Sequence, residues 1–152
     1  MEESGMFFGS YSYNIDDKGR IVIPSKFRQE AGEKLYLMRG FDGCISLYKT
    51  EDFIRYVEEV KKLPKENAKS RAYLRLLLSS TVELSIDKQG RSLIPKETLK
   101  KFGFDNNIAI MFVGQIDHIE VWKLEEWENY QKLHEDSYEE DVEELFSNHE
   151  VR

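Results

Sequence analysis

A single cysteine, three prolines and three histidines are all that this 152-residue chain provides of the side chains that most often staple, kink or ligate a fold. With Cys44 alone no intramolecular disulfide can form, and its place in an apolar-alternating stretch reads as a buried strand thiol. His118, His134 and His149 are scattered, and no Cys-x-x-Cys, His-x-x-x-His or Gly-Lys-Ser/Thr run occurs. Neither a metal centre nor a nucleotide-phosphate loop is expected, no cofactor is implied, and enzymatic chemistry lacks its usual residues. No apolar run approaches the roughly 20 residues that span a bilayer, so no membrane partner is expected. The opening Met1-Glu2-Glu3-Ser4-Gly5 is acidic and lacks the basic start and apolar core of a signal peptide, which predicts a cytoplasmic protein.

Basic charge is also scarce overall, with 22 Lys and Arg against 29 Asp and Glu and a net charge of −7. The deficit is local. Residues 123–152 hold eleven acids and three bases and carry −8, leaving +1 on residues 1–122. A nearly neutral body with an acidic tail still permits basic loops, so the net charge does not exclude a nucleic-acid partner.

What the chain does contain is one ten-residue phrase twice. Ile15-Asp16-Asp17-Lys18-Gly19-Arg20-Ile21-Val22-Ile23-Pro24 returns as Ile86-Asp87-Lys88-Gln89-Gly90-Arg91-Ser92-Leu93-Ile94-Pro95, with six of ten positions identical at an offset of 71. Upstream of each copy, apolar and polar residues alternate (Tyr11, Tyr13, Ile15 and Val82, Leu84, Ile86), the period of a strand with one buried face. Asp-x-x-Gly then reads as a hairpin turn, Asp bonding nearby amides and Gly supplying a positive φ. The apolar runs Ile21–Ile23 and Leu93–Ile94 are the returning strands, and Pro24 and Pro95 are placed to open short helices at their first position.

The duplication extends further. Gly32 and Gly103 keep the offset as helix caps after 25–31 and 96–102. Strand pairs follow at 35–39 with 44–48 and 108–113 with 118–122, Gly40 matching Gly114 at an offset of 74. Thr50 is placed to cap a helix over 51–62, and Phe53 and Trp127 match in the closing helices. Each unit reads β-β-α-β-β-α, and the plan is a first unit at 10–54, linking helices at 55–80, a second unit at 81–126, and a C-terminal helix with an acidic tail at 127–152. Tyr73, Leu74, Leu77 and Leu78 give the linking helix one apolar face, expected to lie across both units. The tail, 134–152, is compatible with a frayed acidic helix or with disorder.

A unit of about 45 residues cannot bury enough surface alone, so the second copy is its partner, and two units about a pseudo-twofold axis could interleave their hairpins into one barrel. The doubled Asp-x-x-Gly-Arg turn followed by Ile-Pro resembles the swapped-hairpin transcription factors of the AbrB and SpoVT type, and the two-copy arrangement is similar to the MraZ family. The likeness runs from Phe7-Phe8-Gly9 through Trp127 and includes Arg71–Leu78. It implies an α+β, mainly β, pseudo-twofold double-unit swapped-hairpin (AbrB-like) barrel with flanking helices. It further implies a nucleoid-associated, sequence-specific DNA-binding regulator of the bacterial division and cell-wall gene cluster, acting as a ring-shaped homo-oligomer on short tandem repeats of promoter-region double-stranded DNA.

The residues themselves suit that task. Lys18 and Arg20 on one turn and Lys88 and Arg91 on the other form candidate reading heads, because arginine's fork can take phosphate or a guanine edge bidentately and a two-stranded ribbon fits the major groove. Asp16 and Asp87 are expected to structure the turns with Gly19 and Gly90, or to pair with the arginines, a salt bridge that could equally be the whole purpose of the motif. Lys26 and Arg28, after Pro24, could add phosphate contacts; their counterparts Glu97 and Leu99 cannot, which points to the first unit as the principal head. Arg71 and Arg75 are expected to pair with Glu66 or Glu83. Phe7, Phe8, Tyr11, Trp122 and Trp127 are candidates for subunit contacts or for the core. The acidic tail motivates a second reading, a protein-binding module or antitoxin-like adaptor of the swapped-hairpin class.

Overall fold

A computed structural model describes residues 5–149. Its elements run β1 (Ser10–Asn14), β2 (Arg20–Val22), α1 (Ser25–Ala31), β3 (Lys34–Arg39), β4 (Ile45–Lys49), α2 (Thr50–Val60) and α3 (Ala68–Ser79), then β5 (Val82–Ser85), β6 (Arg91–Leu93), α4 (Lys96–Lys101), β7 (Ala109–Gly114), β8 (Ile119–Lys123), α5 (Leu124–Glu135) and α6 (Tyr138–His149). The architecture is mixed α+β: a six-stranded antiparallel sheet in the order β1-β7-β8-β4-β3-β5, a two-stranded ribbon β2-β6, and six helices.

Strand pairing crosses between the units. The arms of each expected hairpin do not pair with each other beyond the turn; β1 pairs with β7, β5 with β3, and β2 with β6. Two register positions locate the pseudo-twofold axis, because there a residue faces its own counterpart: Ile21 opposite Ser92, offset 71, and Ser46 opposite Glu120, offset 74. Each unit thereby supplies strands that satisfy the other's unpaired backbone edges, which neither could leave open.

One core joins the two halves. Phe7, Ile15, Ile21, Ile23, Leu35, Leu37, Leu47, Leu84, Ile110, Phe112, Ile119 and Val121 are all at most 1% exposed. Phe7 and Trp122 therefore belong to the interior, whereas Phe8 is 72% exposed. Burial alternates along β1 and β5 as the sequence period requires. In β6 it is Ser92 that turns inward and Leu93 outward, since Ser92 inherits the buried register of Ile21.

Other expectations shift in detail. Pro24 and Pro95 stand at the N-cap, one residue ahead of their helices. Thr50 is inside α2 and caps nothing; Lys49 holds the cap position without a side-chain bond. Asn67 caps α3, its side chain accepting from the amides of Lys69 and Ser70. Gly40 corresponds to Gln115 rather than Gly114: Gly40 N donates to Cys44 O as Gln115 N does to His118 O, so the second strand-strand turn is one residue shorter. The linking helix α3 does not lie across both units. Leu77 packs with Met38, Tyr48, Phe53, Tyr56 and Tyr73, all N-terminal to the second unit, and Leu78 is 46% exposed. Arg71 donates to Lys65 O, and Glu83 pairs with Lys34.

Candidate nucleic-acid interface

The two repeated turns are built alike. In the first, Asp16 Oδ1 accepts from the amides of Lys18 (2.9 Å) and Arg20 (2.8 Å), Gly19 N donates to Asp16 O, and Arg20 Nε reaches Asp16 Oδ2 at 2.6 Å. In the second, Asp87 Oδ1 accepts from Gln89 and Arg91, both at 2.9 Å, Gly90 N donates to Asp87 O, and Arg91 Nε meets Asp87 Oδ2 at 2.9 Å. Each aspartate thus closes its turn and orients its arginine, and φ is +85° at Gly19 and +81° at Gly90, which a side chain would oppose. The amide bonds from Arg20 hold the Asp16 carboxyl down at about 2, with a further contribution from the guanidinium; Asp87 is lowered for the same reasons.

Between the turns lies the ribbon β2-β6. Ile21 and Ser92 point into the core, so Arg20, Val22, Arg91 and Leu93 share the opposite face, Arg20 paired with Leu93 and Val22 with Arg91. That register sets the two arginines diagonally, about 7–8 Å apart. Arg20 and Arg91 keep 33% and 37% of their side chains exposed, and Leu93 stands 59% exposed beside them. Each guanidinium is bound to its aspartate through Nε, which leaves its Nη donors without a bond to that carboxylate. Lys18, Lys26 and Lys88 are exposed.

The short helices cross over. Arg28 does not join Lys18 and Arg20. It donates from Nε to Ile23 O at 2.8 Å and covers Gly90, whose missing Cβ would collide with the guanidinium. Its counterpart Leu99 covers Gly19 in the same way, with Cδ1 3.1 Å from where a Cβ would stand. Each turn is sealed by the other unit's helix, and the cation that sequence spacing assigns to the first head stands beneath the second. Lys96 and Asn106, from the second unit, line the hollow at the first turn, Asn106 Nδ2 donating to Asp17 O. No local signal in the sequence announces this exchange; the inward Ser92 was legible at the 71-residue offset, as the partner of a core isoleucine.

Comparison with known proteins agrees with the duplication. The family model described as "MraZ protein, putative antitoxin-like" matches twice, over residues 6–76 and 77–149. The chain is 43% identical to the "Transcriptional regulator MraZ" of Clostridium tetani over 125 residues, 82% of this chain and 87% of that protein. It is 39% identical to the protein of the same name from Caldanaerobacter subterraneus subsp. tengcongensis over 140 residues, 92% and 96% of the two chains. A third, from Syntrophomonas wolfei, is 38% identical over the same shares. Two tandem matches spanning the described fold, with relatives aligned over nearly their whole length, place the chain in the MraZ family.

Proposed function

We propose that this protein is a sequence-specific DNA-binding transcriptional regulator that recognises short tandem repeats upstream of the bacterial division and cell-wall gene cluster. The observation that carries the reading is the outward face of β2-β6, where Arg20 and Arg91 stand together, each braced by an aspartate through Nε with its Nη groups free of that carboxylate. A two-stranded ribbon of this kind fits the major groove, and a pre-oriented guanidinium can take the O6/N7 edge of guanine or a phosphate. Lys18 and Lys88 on the turns, Lys26 on α1 and, beneath the second turn, Arg28 are the accompanying cations. Relatives named transcriptional regulators support the same reading.

One ribbon carries too few cations for tight binding, because each phosphate contact contributes modestly and is screened by salt. We therefore infer a homo-oligomer, arranged as a ring, in which several ribbons engage successive repeats, the units 10–54 and 81–126 forming one reading surface per chain. Effective concentration then multiplies weak contacts by roughly 10²–10⁴.

The test is a gel shift with DNA from upstream of the gene and a scrambled-repeat control. Arg20→Ala is expected to abolish repeat-specific binding while leaving the thermal unfolding midpoint nearly in place, and wild-type affinity is expected to fall steeply with salt. A large loss of stability with affinity retained would assign the arginine to the turn alone.

A further inference from the structure

The two units differ in charge where the fold makes them equivalent. Glu30 near the end of α1 corresponds to Lys101 at the end of α4, Gln29 to Lys100, and Lys49 to Lys123. In the first unit Lys49 Nζ sits 2.9 Å from Glu30 Oε1 and 3.9 Å from Asp52 Oδ2. In the second, the position of Glu30 is itself a cation, and Lys123 Nζ has Glu126 at 3.5 Å. An open cleft of about 580 Å³ results, lined by Arg39, Lys100, Lys101 and Lys123 with Glu126 as the acid among them. Phe102 also lines it, its ring centroid 5.7 Å from the Arg39 guanidinium, and Lys123 Nζ lies 5.3 Å from the centroid of the buried Phe104. Phe41, between the lining glycines 40 and 43, is 70% exposed. Lysines in the last turn of α4 do favour its dipole. That effect does not account for Arg39 and Lys123 gathering with them, and the first unit achieves the same fold with an acid in the corresponding place.

Elsewhere the chain carries the complement of this cleft. On α6, Tyr138, Val142, Leu145 and Phe146 fall at i, i+4, i+7 and i+8, one stripe of the helix, and all are 36% to 66% exposed. Glu139 and Asp141 border the stripe, and the helix holds five carboxylates from Glu139 to Glu144 with no Lys or Arg. Its own cleft does not cover it. α5 starts beside Lys123 and runs twelve residues, about 18 Å, before the two-residue link to α6, and none of the cleft's lining residues comes from α6, whose four stripe residues stay exposed in the single chain.

We propose that α6 of one copy docks in the Arg39–Lys100–Lys101–Lys123 cleft of a second copy, its apolar stripe on Phe41 and Phe102 and its bordering carboxylates on the four cations. Donor and acceptor surfaces differ, so the contact is heterologous and propagates from chain to chain until the rotation closes it. It deepens the homo-oligomer of the proposed function by naming its contact, and requires nothing of the DNA reading.

Sedimentation velocity without DNA tests it: wild-type assembly of a reversed-cleft chain would sink this contact and leave the oligomer and the DNA reading standing, whereas a monomeric full chain would sink the oligomer of the proposed function as well. The full chain is expected to associate. A chain ending at Ser137, which keeps every core residue named above, and the Lys100→Glu/Lys101→Glu chain are each expected to lose self-association at least tenfold. Mixed, these two should form a one-to-one dimer that grows no further, since each keeps one intact half. Adding Glu139→Lys/Asp141→Lys to the reversed cleft should restore assembly, which guards against a truncation that merely misfolds. A monomeric full chain, reversed-cleft assembly equal to wild type, or a mixture that stays monomeric would overturn the proposal. So would loss of DNA affinity in Lys100→Glu/Lys101→Glu with assembly unchanged, which would give the cleft to nucleic acid.

Discussion

Arg28 and Gly90 belong to different units and touch: the guanidinium of the first lies where a Cβ on the second would be. Gly90→Ala therefore faces two costs. Forcing an L side chain to φ near +81° costs about 1–2 kcal/mol, and displacing Arg28 breaks its bond to Ile23 O, roughly another 1 kcal/mol. In an Arg28→Ala background only the backbone cost remains, so a double-mutant cycle by urea unfolding should give a coupling of about 1 kcal/mol. Gly19→Ala has no such relief, since it meets Leu99 and the Ile94 carbonyl oxygen, 3.3 Å away and part of the backbone. Strictly additive effects of the Gly90 and Arg28 changes would show that the cross-unit seal contributes nothing.

The carboxyl of Asp16 offers a control for any loss of DNA binding in Arg20→Ala. The largest influence holding it near 2 is the residue-20 amide, ahead of the guanidinium, and partial burial opposes both. The amide survives the substitution. The Asp16 carboxyl should then titrate higher than in wild type yet still below the ordinary 3.8, as followed by NMR of the side-chain carboxyl. In wild type, a folded value below the unfolded one means that this turn's contribution is present above about pH 4 and is lost as pH falls through about 2. Complete return to 3.8 in Arg20→Ala would mean that the turn itself had opened, and a DNA defect in that variant would then be structural.

Much of this site could be read from the chain because its signals are local. Asp-x-x-Gly-Arg fixes a turn through contacts spanning four residues, and the alternation around Tyr11 and Leu84 fixes which face is buried. What escaped was non-local. Pairing of β2 with β6 rather than β1 joins residues 71 apart, and nothing in the arms distinguishes a closed hairpin from a splayed one. Arg28 looks like a surface cation by spacing on α1, and only the crossing of that helix to the opposite turn makes it a seal. Residue type matches Gly40 to Gly114, whereas backbone bonding selects Gln115. Loop length absorbed the difference at little entropic cost.

His118 stands beside β4-β8, the pair through which the axis passes, with Nδ1 2.8 Å from Asp117 Oδ1, Nε2 3.8 Å from Glu120 Oε2, and its ring stacked on Tyr48 at 4.7 Å. Burial alone would lower its pKa; the neighbouring carboxylates of Glu120 and Asp117 outweigh burial and raise it above 6.5. A raised cationic group contributes stability that is complete below the unfolded value, near 6.5, and is lost as pH climbs through the higher folded value. Thermal unfolding should accordingly occur at a higher temperature at pH 6 than at pH 8, and His118→Gln should shrink that difference. An unchanged difference in the variant would place the pH dependence elsewhere.

Ile116 is the residue whose backbone the fold holds against its own preference. It sits at φ +66° in the β7-β8 turn, where a β-branched side chain is an outlier, while its amide and carbonyl bond Phe7 at 2.8 and 2.9 Å. Those two bonds anchor the start of the chain, and Phe7 is buried in the core, so the backbone geometry has a purpose that the isoleucine side chain, 68% exposed, does not share. Replacing it by glycine removes about 1–2 kcal/mol of left-handed strain and costs roughly 1 kcal/mol in added freedom of the unfolded chain, whereas asparagine tolerates the same φ with a smaller entropic loss. Ile116→Asn should therefore stabilise the protein by about 1 kcal/mol in urea unfolding, and more than Ile116→Gly does. Should both variants prove destabilised, the exposed isoleucine would be contributing contacts that the single chain does not display, and self-association of the variant would be the measurement to make next.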